Sequence, residues 1–107
     1  HHRLANLCMI LDANKMQALG FTKEILWPGE YADRWRSFGW KVIAVDGHDV
    51  NQLTEAFLNI GVHNKPLAII ADTVKGKGVS FMENSLLWHY HPPKGQEYIN
   101  ALEELSI

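Results

Sequence analysis

The chain is short of the features that announce most specialised proteins. It has one cysteine, Cys8, among 107 residues. A single thiol cannot close an intrachain disulfide, which points to a reducing compartment and a cytoplasmic location. Cys8 sits in the apolar run Leu7-Cys8-Met9-Ile10-Leu11 without a basic neighbour, so a buried, inert thiol is expected rather than a nucleophile. No apolar run approaches the roughly 20 residues of a membrane span, and no charged-apolar-small pattern marks a signal peptide. The net charge of −2 supplies no general attraction to nucleic acid or to a membrane, and neither partner is expected. Internal repeats, low-complexity tracts and interdomain linkers are missing too. So are the phosphate-binding spacings GxxxxGK[ST] and GxGxxG. No methionine precedes "HHRLANLCMIL", which runs almost at once into a strand-like segment. The back portion of a longer domain is therefore expected.

What is present suits one modest globular domain. The hydrophobic fraction of 47% is ordinary, and a chain of this size buries roughly 60–70% of its unfolded surface. Three apolar runs, Leu7–Leu11, Val42–Val45 and Leu67–Ala71, lack polar alternation. Continuous runs of that length suit strands buried on both faces of a parallel sheet. Helical stripes lie between and after them. Tyr31, Trp35 and Phe38 place a helix over about Glu30–Phe38, with Pro28-Gly29 at its start and Gly39 just past its end. Leu53, Phe57 and Ile60 form a second stripe, headed by the capping pair Asp49 and Gln52 and followed by Gly61. Tyr98, Leu102 and Leu105 form a third. Strands alternating with helices predict an α/β fold, an open, mostly parallel sheet with flanking helices and right-handed crossovers.

In such sheets ligands bind beyond the carboxyl ends of the strands. Each run ends there in an aspartate, Asp12, Asp46 or Asp72, and two long connections, 13–29 and 74–95, fall at the same edge. Aspartates at strand ends more often bond loop amides than bind ligands. Asp12-Ala13-Asn14 groups hard oxygen donors of the kind Mg²⁺ or Ca²⁺ prefers, although Asp and Asn are also common turn residues. Lys75-Gly76-Lys77-Gly78 offers two cations on a backbone able to approach a ligand closely, and a flexible surface turn explains it equally well. His89, in Trp88-His89-Tyr90-His91, lies on a long connection at the ligand edge, where a functional and a structural role weigh evenly. His48 reads as a turn or cap residue, and His63 as solvent-exposed.

Several segments together resemble the transketolase family of thiamine diphosphate enzymes. "LDANKMQALG" resembles the segment that completes the metal and diphosphate motif, and "DRWRSFGWKVIAVDGHD" the helix and strand that follow. "KPLAIIADTVKGKGVSFMEN" and "WHYHPP" resemble the next strand and its cofactor loop. The four motifs occur in family order over nearly the whole chain, and they are most similar to the N-terminal subunit of split bacterial transketolases.

The resemblance implies a partial thiamine diphosphate-binding fold, with residues 1–107 as the C-terminal portion of the diphosphate-binding domain. It implies Mg²⁺ held by the Asn14 carboxamide and the Met16 carbonyl. Lys75 would lie beside the cofactor diphosphate, where a cation offsets its charge. His89 would contact cofactor phosphate and the reacting region, as a hydrogen-bond donor or proton relay. The cofactor would supply the carbanion chemistry. Sugar phosphates are the implied substrates, a pyrimidine-binding domain or subunit the implied partner, and a dimer or other oligomer the implied state. Tyr90 departs from the family, which has glycine after the histidine. The family's "GDG" segment, its earlier histidines and its pyrimidine-binding domain have no counterpart in these 107 residues, so an incomplete, inactive half-site is expected, with one sheet edge or face uncovered. The alternatives are a non-catalytic scaffold module that keeps the fold, or another thiamine diphosphate enzyme such as the deoxyxylulose-phosphate synthase type, which "WHYHPP" disfavours.

Overall fold

The computed structural model describes residues 2–26 and 29–106. The three apolar runs form strands β1 (Cys8–Ala13), β4 (Lys41–Asp46) and β5 (Leu67–Asp72). They pair in parallel in the order β1-β5-β4. The register sets Cys8 beside Leu67 and Leu67 beside Lys41, so the strands begin and end level. Between β1 and β4 come a small antiparallel pair, β2 (Met16–Gln17) with β3 (Gly20–Phe21), then α1 (Thr22–Ile25) and α2 (Tyr31–Ser37). Helix α3 (Val50–Phe57) links β4 to β5, and α4 (Gln96–Leu105) closes the chain. The chain divides into two compact units, one of residues 1–13 and 28–73, the other of residues 14–27 and 74–107.

In the sheet unit, β5 is central and buried from Leu67 to Ala71. Leu67, Ile69 and Ala71 face one side, where Val45, Ala56 and Leu53 pack against them. The expectation of strands buried on both faces holds for β5 alone. Ile10 shares the Ile69 face through the register but is 52% exposed, because β1 is an edge strand. Cys8 is half-buried and free, and burial pushes its thiol pKa up, as an inert thiol requires.

The helix ends follow the sequence signals. Asp49 caps α3, its Oδ1 accepting from the Asn51 and Gln52 amides at 2.9 and 3.1 Å. Gln52 departs from a simple capping box: its Oε1 accepts from the Asp46 amide at 3.0 Å and its Nε2 donates to Asp49 Oδ2 at 2.9 Å. Helix α2 ends in a Schellman arrangement, Gly39 N–H to Arg36 O at 2.9 Å and Trp40 N–H to Trp35 O at 3.2 Å. Gly39 supplies the positive φ of 84° that this turn needs. Two stripe residues fall outside their helices. Phe38 caps α2 and is 80% exposed, and Ile60 lies in the turn after α3. Pro28, invoked for the helix start, lies outside the described residues. The long connections are not bare loops, since they hold the hairpin, α1 and a 3₁₀ turn at Leu86–His89.

Candidate functional site

The carboxyl ends of the strands bring the aspartates to one edge, as the alternation predicted. Asp46 lies beside Asp72 in the register, and Asp72 beside Ala13. Their bonds favour the structural reading. Asp46 Oδ1 accepts from the His48 amide at 2.8 Å. Asp12 Oδ1 accepts from the Thr73 hydroxyl. The Asp72 carbonyl accepts from the Gly47 amide at 2.8 Å. The chain crosses itself so tightly there that a Cβ on Gly47 would overlap Thr73 Cγ2.

The remaining candidates, Asn14, Met16, Lys75 and His89, all belong to the second unit. Asn14 sits where β1 gives way to the hairpin. Its Oδ1 accepts from the Met16 amide at 3.0 Å, an Asx turn completed by Lys15 at φ 65°. The turn holds the Asn14 carboxamide against the Met16 backbone. An amide oxygen keeps a second lone pair after one such bond. Asn14 Oδ1 and the Met16 carbonyl are two hard oxygen donors two residues apart in the chain. They fit a Mg²⁺ that takes one or two ligands from protein and the rest from phosphate oxygens and water.

Lys75 opens a closed loop rather than a flexible turn. Lys77 N–H donates to Val74 O at 3.2 Å, and Asn84 N–H donates to Lys75 O at 2.9 Å. Glu83 Oε1 accepts from the Gly78 amide at 3.2 Å and lies 3.7 Å from the Lys77 ammonium. Gly76, at φ 75°, packs on the loop itself: a Cβ there would meet the Met82 carbonyl oxygen at 2.5 Å. The nearest neighbour to such a Cβ on Gly78 is Leu105. Gly76 therefore serves the loop's own closure, and Gly78 lies against α4. Lys77 is drawn toward Glu83, whereas Lys75 makes no ion pair with a described residue.

His89 ends the 3₁₀ turn and is exposed. Trp88 anchors it from within, its Nε1 donating to Phe81 O at 3.0 Å and its ring meeting Phe81 edge to face at 5.3 Å. The His89 imidazole packs against Tyr90, centroids 4.4 Å apart at 77°. Sequence reasoning missed the Trp88–Phe81 anchor and the Gly76–Met82 contact. Neither has a periodic signal, because both span irregular chain.

The comparisons with known proteins fit this geometry. Residues 1–105 match the family described as transketolase, thiamine diphosphate binding domain. The chain belongs to that family. Among curated relatives it is 41% identical to a subunit of the apulose-4-phosphate transketolase of Actinobacillus succinogenes, over 98% of this chain and 38% of that protein. It is also 41% identical to 6-deoxy-6-sulfo-D-fructose transketolase subunit SqwG of a Clostridium species, over 97% of this chain and 38% of the relative. It thus spans well under half the length of these relatives. Among solved structures, transketolase of Campylobacter jejuni superposes with a TM-score of 0.88 at 27% identity, covering 96% of this chain and 16% of that one. The α/β fold with a parallel sheet and flanking helices is that of transketolases.

Proposed function

We propose that residues 1–107 are the C-terminal portion of the diphosphate-binding domain of a split, transketolase-type transferase. The whole enzyme would move a two-carbon ketol unit between sugar phosphates, using thiamine diphosphate and Mg²⁺ in the cytoplasm. One observation carries the reading. In a chain whose residues 1–105 match a thiamine diphosphate-binding family, the loop after β5 closes on its own backbone, with His89 exposed and Lys75 in no ion pair with a described residue.

Each residue has a part in that proposal. Asn14 Oδ1 and the Met16 carbonyl would hold Mg²⁺. Lys75 would balance diphosphate charge at a point the protein leaves unneutralised. His89 would donate a hydrogen bond to phosphate and hold or pass a proton near the reacting carbon. The bound cofactor supplies the carbanion chemistry. Relatives named as subunits of transketolases support a partner subunit; in this proposal that partner binds the pyrimidine ring, the assembly is oligomeric and the isolated chain is inactive. The test combines the chain with the remainder of its domain and a pyrimidine-binding subunit, then measures ketol transfer with thiamine diphosphate and Mg²⁺. Transfer is expected, and His89→Ala and Asn14→Ala should each lower it. An inert wild-type assembly, or variants with unchanged kinetics, would remove the proposal or the assigned roles.

A further inference from the structure

The amino ends of the three strands, opposite to the edge just described, carry a feature that the functional reading leaves unused. Main-chain bonds hold these ends level: Leu67 N–H donates to Leu7 O and Lys41 N–H to Pro66 O, both at 2.9 Å. A cavity of about 1090 Å³ opens here. Leu7, Trp40, Val42 and Pro66 give it apolar surface, and Arg3, Arg36, Lys41, Lys65, His2 and His63 give it basic groups. Among the described residues, no aspartate or glutamate lines it.

A bland explanation accounts for part of this. Helices antiparallel to the strands end at this edge, and cations offset the negative ends of helix dipoles. Arg36 fits that account, lying in the last turn of α2 and paired with Asp33 at 2.8 Å. The other three cations do not. Lys41 is the first residue of β4, and Lys65 and Arg3 precede β5 and β1. None of the three makes an ion pair with a described residue. Like charges gathered around one cavity repel, and apolar walls strengthen their attraction for a counter-anion by excluding water.

We propose that this amino-edge cavity is a binding site for a polyphosphate anion, separate from the thiamine diphosphate site. The test adds inorganic pyrophosphate to the chain at low salt and follows backbone amide resonances. Saturable shifts are expected at and around Arg3, Lys41 and Lys65, weakening as salt is raised. Lys41→Gln and Lys65→Gln should each lower affinity by about threefold, the scale of one exposed charge contact, while Lys75→Gln leaves these shifts in place. Shifts confined to 75–89, non-saturating shifts spread over all lysines, or undiminished affinity in both glutamine variants would overturn the proposal. If a glutamine variant loses its ellipticity, Lys41→Arg or Lys65→Arg decides instead: the retained charge must retain binding, and its loss in a folded arginine variant would also overturn the site.

Discussion

Two segments follow strands at the carboxyl edge, and both hold glycine, histidine and charge. In the turn 46–52 the polar side chains bond to one another and to the turn. Asp46 accepts from the His48 amide, Asp49 caps α3, and Gln52 ties the two aspartates together. In the loop 74–90 the backbone does much of this work through the bonds at Val74, Lys75 and Gly76. Glu83, Lys77 and Trp88 add side-chain ties, whereas Lys75 makes no ion pair with a described residue. The difference separates a turn that consumes its polar side chains in folding from a loop that closes largely through its backbone and leaves Lys75 outside its ion pairs.

Substitutions can sharpen or break this contrast. The largest effect is expected in the strand from which the loop departs. Leu67 is 1% exposed, and Leu67→Ala should destabilise the chain by about 3 kcal/mol in urea unfolding. Next comes Gly76→Ala, which combines a positive φ with a backbone clash. It should cost about 2 kcal/mol or more and weaken thiamine diphosphate binding in the assembly. Gly39→Ala has a similar φ but open space around it and should cost about 1 kcal/mol. Equal effects at the two glycines would mean that the loop is not closed on Met82. Trp88→Phe keeps the ring contact and loses the bond to Phe81 O, about 1 kcal/mol, with weaker protection of the 81–90 amides from hydrogen exchange.

The smallest effect concerns the self-satisfied turn and depends on pH. The Gln52 amide first, then the Gln52 side chain and the Asn51 amide, hold the Asp49 carboxyl below its ordinary value. A folded-state pKa below the unfolded one means a contribution fully present above the unfolded value and lost as pH falls through the folded one. Asp49→Asn keeps an oxygen at the cap but no longer titrates. Its thermal midpoint should therefore fall less steeply on acidification than that of the parent chain. Parallel acid profiles would show that the cap bonds do not favour the charged form.

The comparison also shows what was legible beforehand. The three strands were readable because β-branched and leucine-rich runs ended in polar residues at comparable points. The Asp49 cap and the Gly39 terminus were readable because capping is local, set by atoms within a few residues. Phe38 was misread because a helical stripe counts spacing, and the helix stopped one residue earlier at its Schellman turn. The Lys-Gly-Lys-Gly stretch was left between flexible turn and ligand loop because glycine permits both. Only the position of Met82 selects between them. The placement of Asn14, Met16, Lys75 and His89 in one compact unit was legible only through family resemblance, since no periodicity links 14–16 to 75–89.

The sequence by itself determined the α/β alternation, the edge where ligand chemistry belongs and the helix caps, because each depends on short-range pattern and local hydrogen bonds. Tertiary structure decided that β5 alone is buried on both faces, that Gly76 serves loop closure, and that Arg3, Lys41 and Lys65 surround a common cavity. Those outcomes depend on which distant segments pack together, through strand register, steric contact and unpaired charge. Spacing along the chain does not encode any of them.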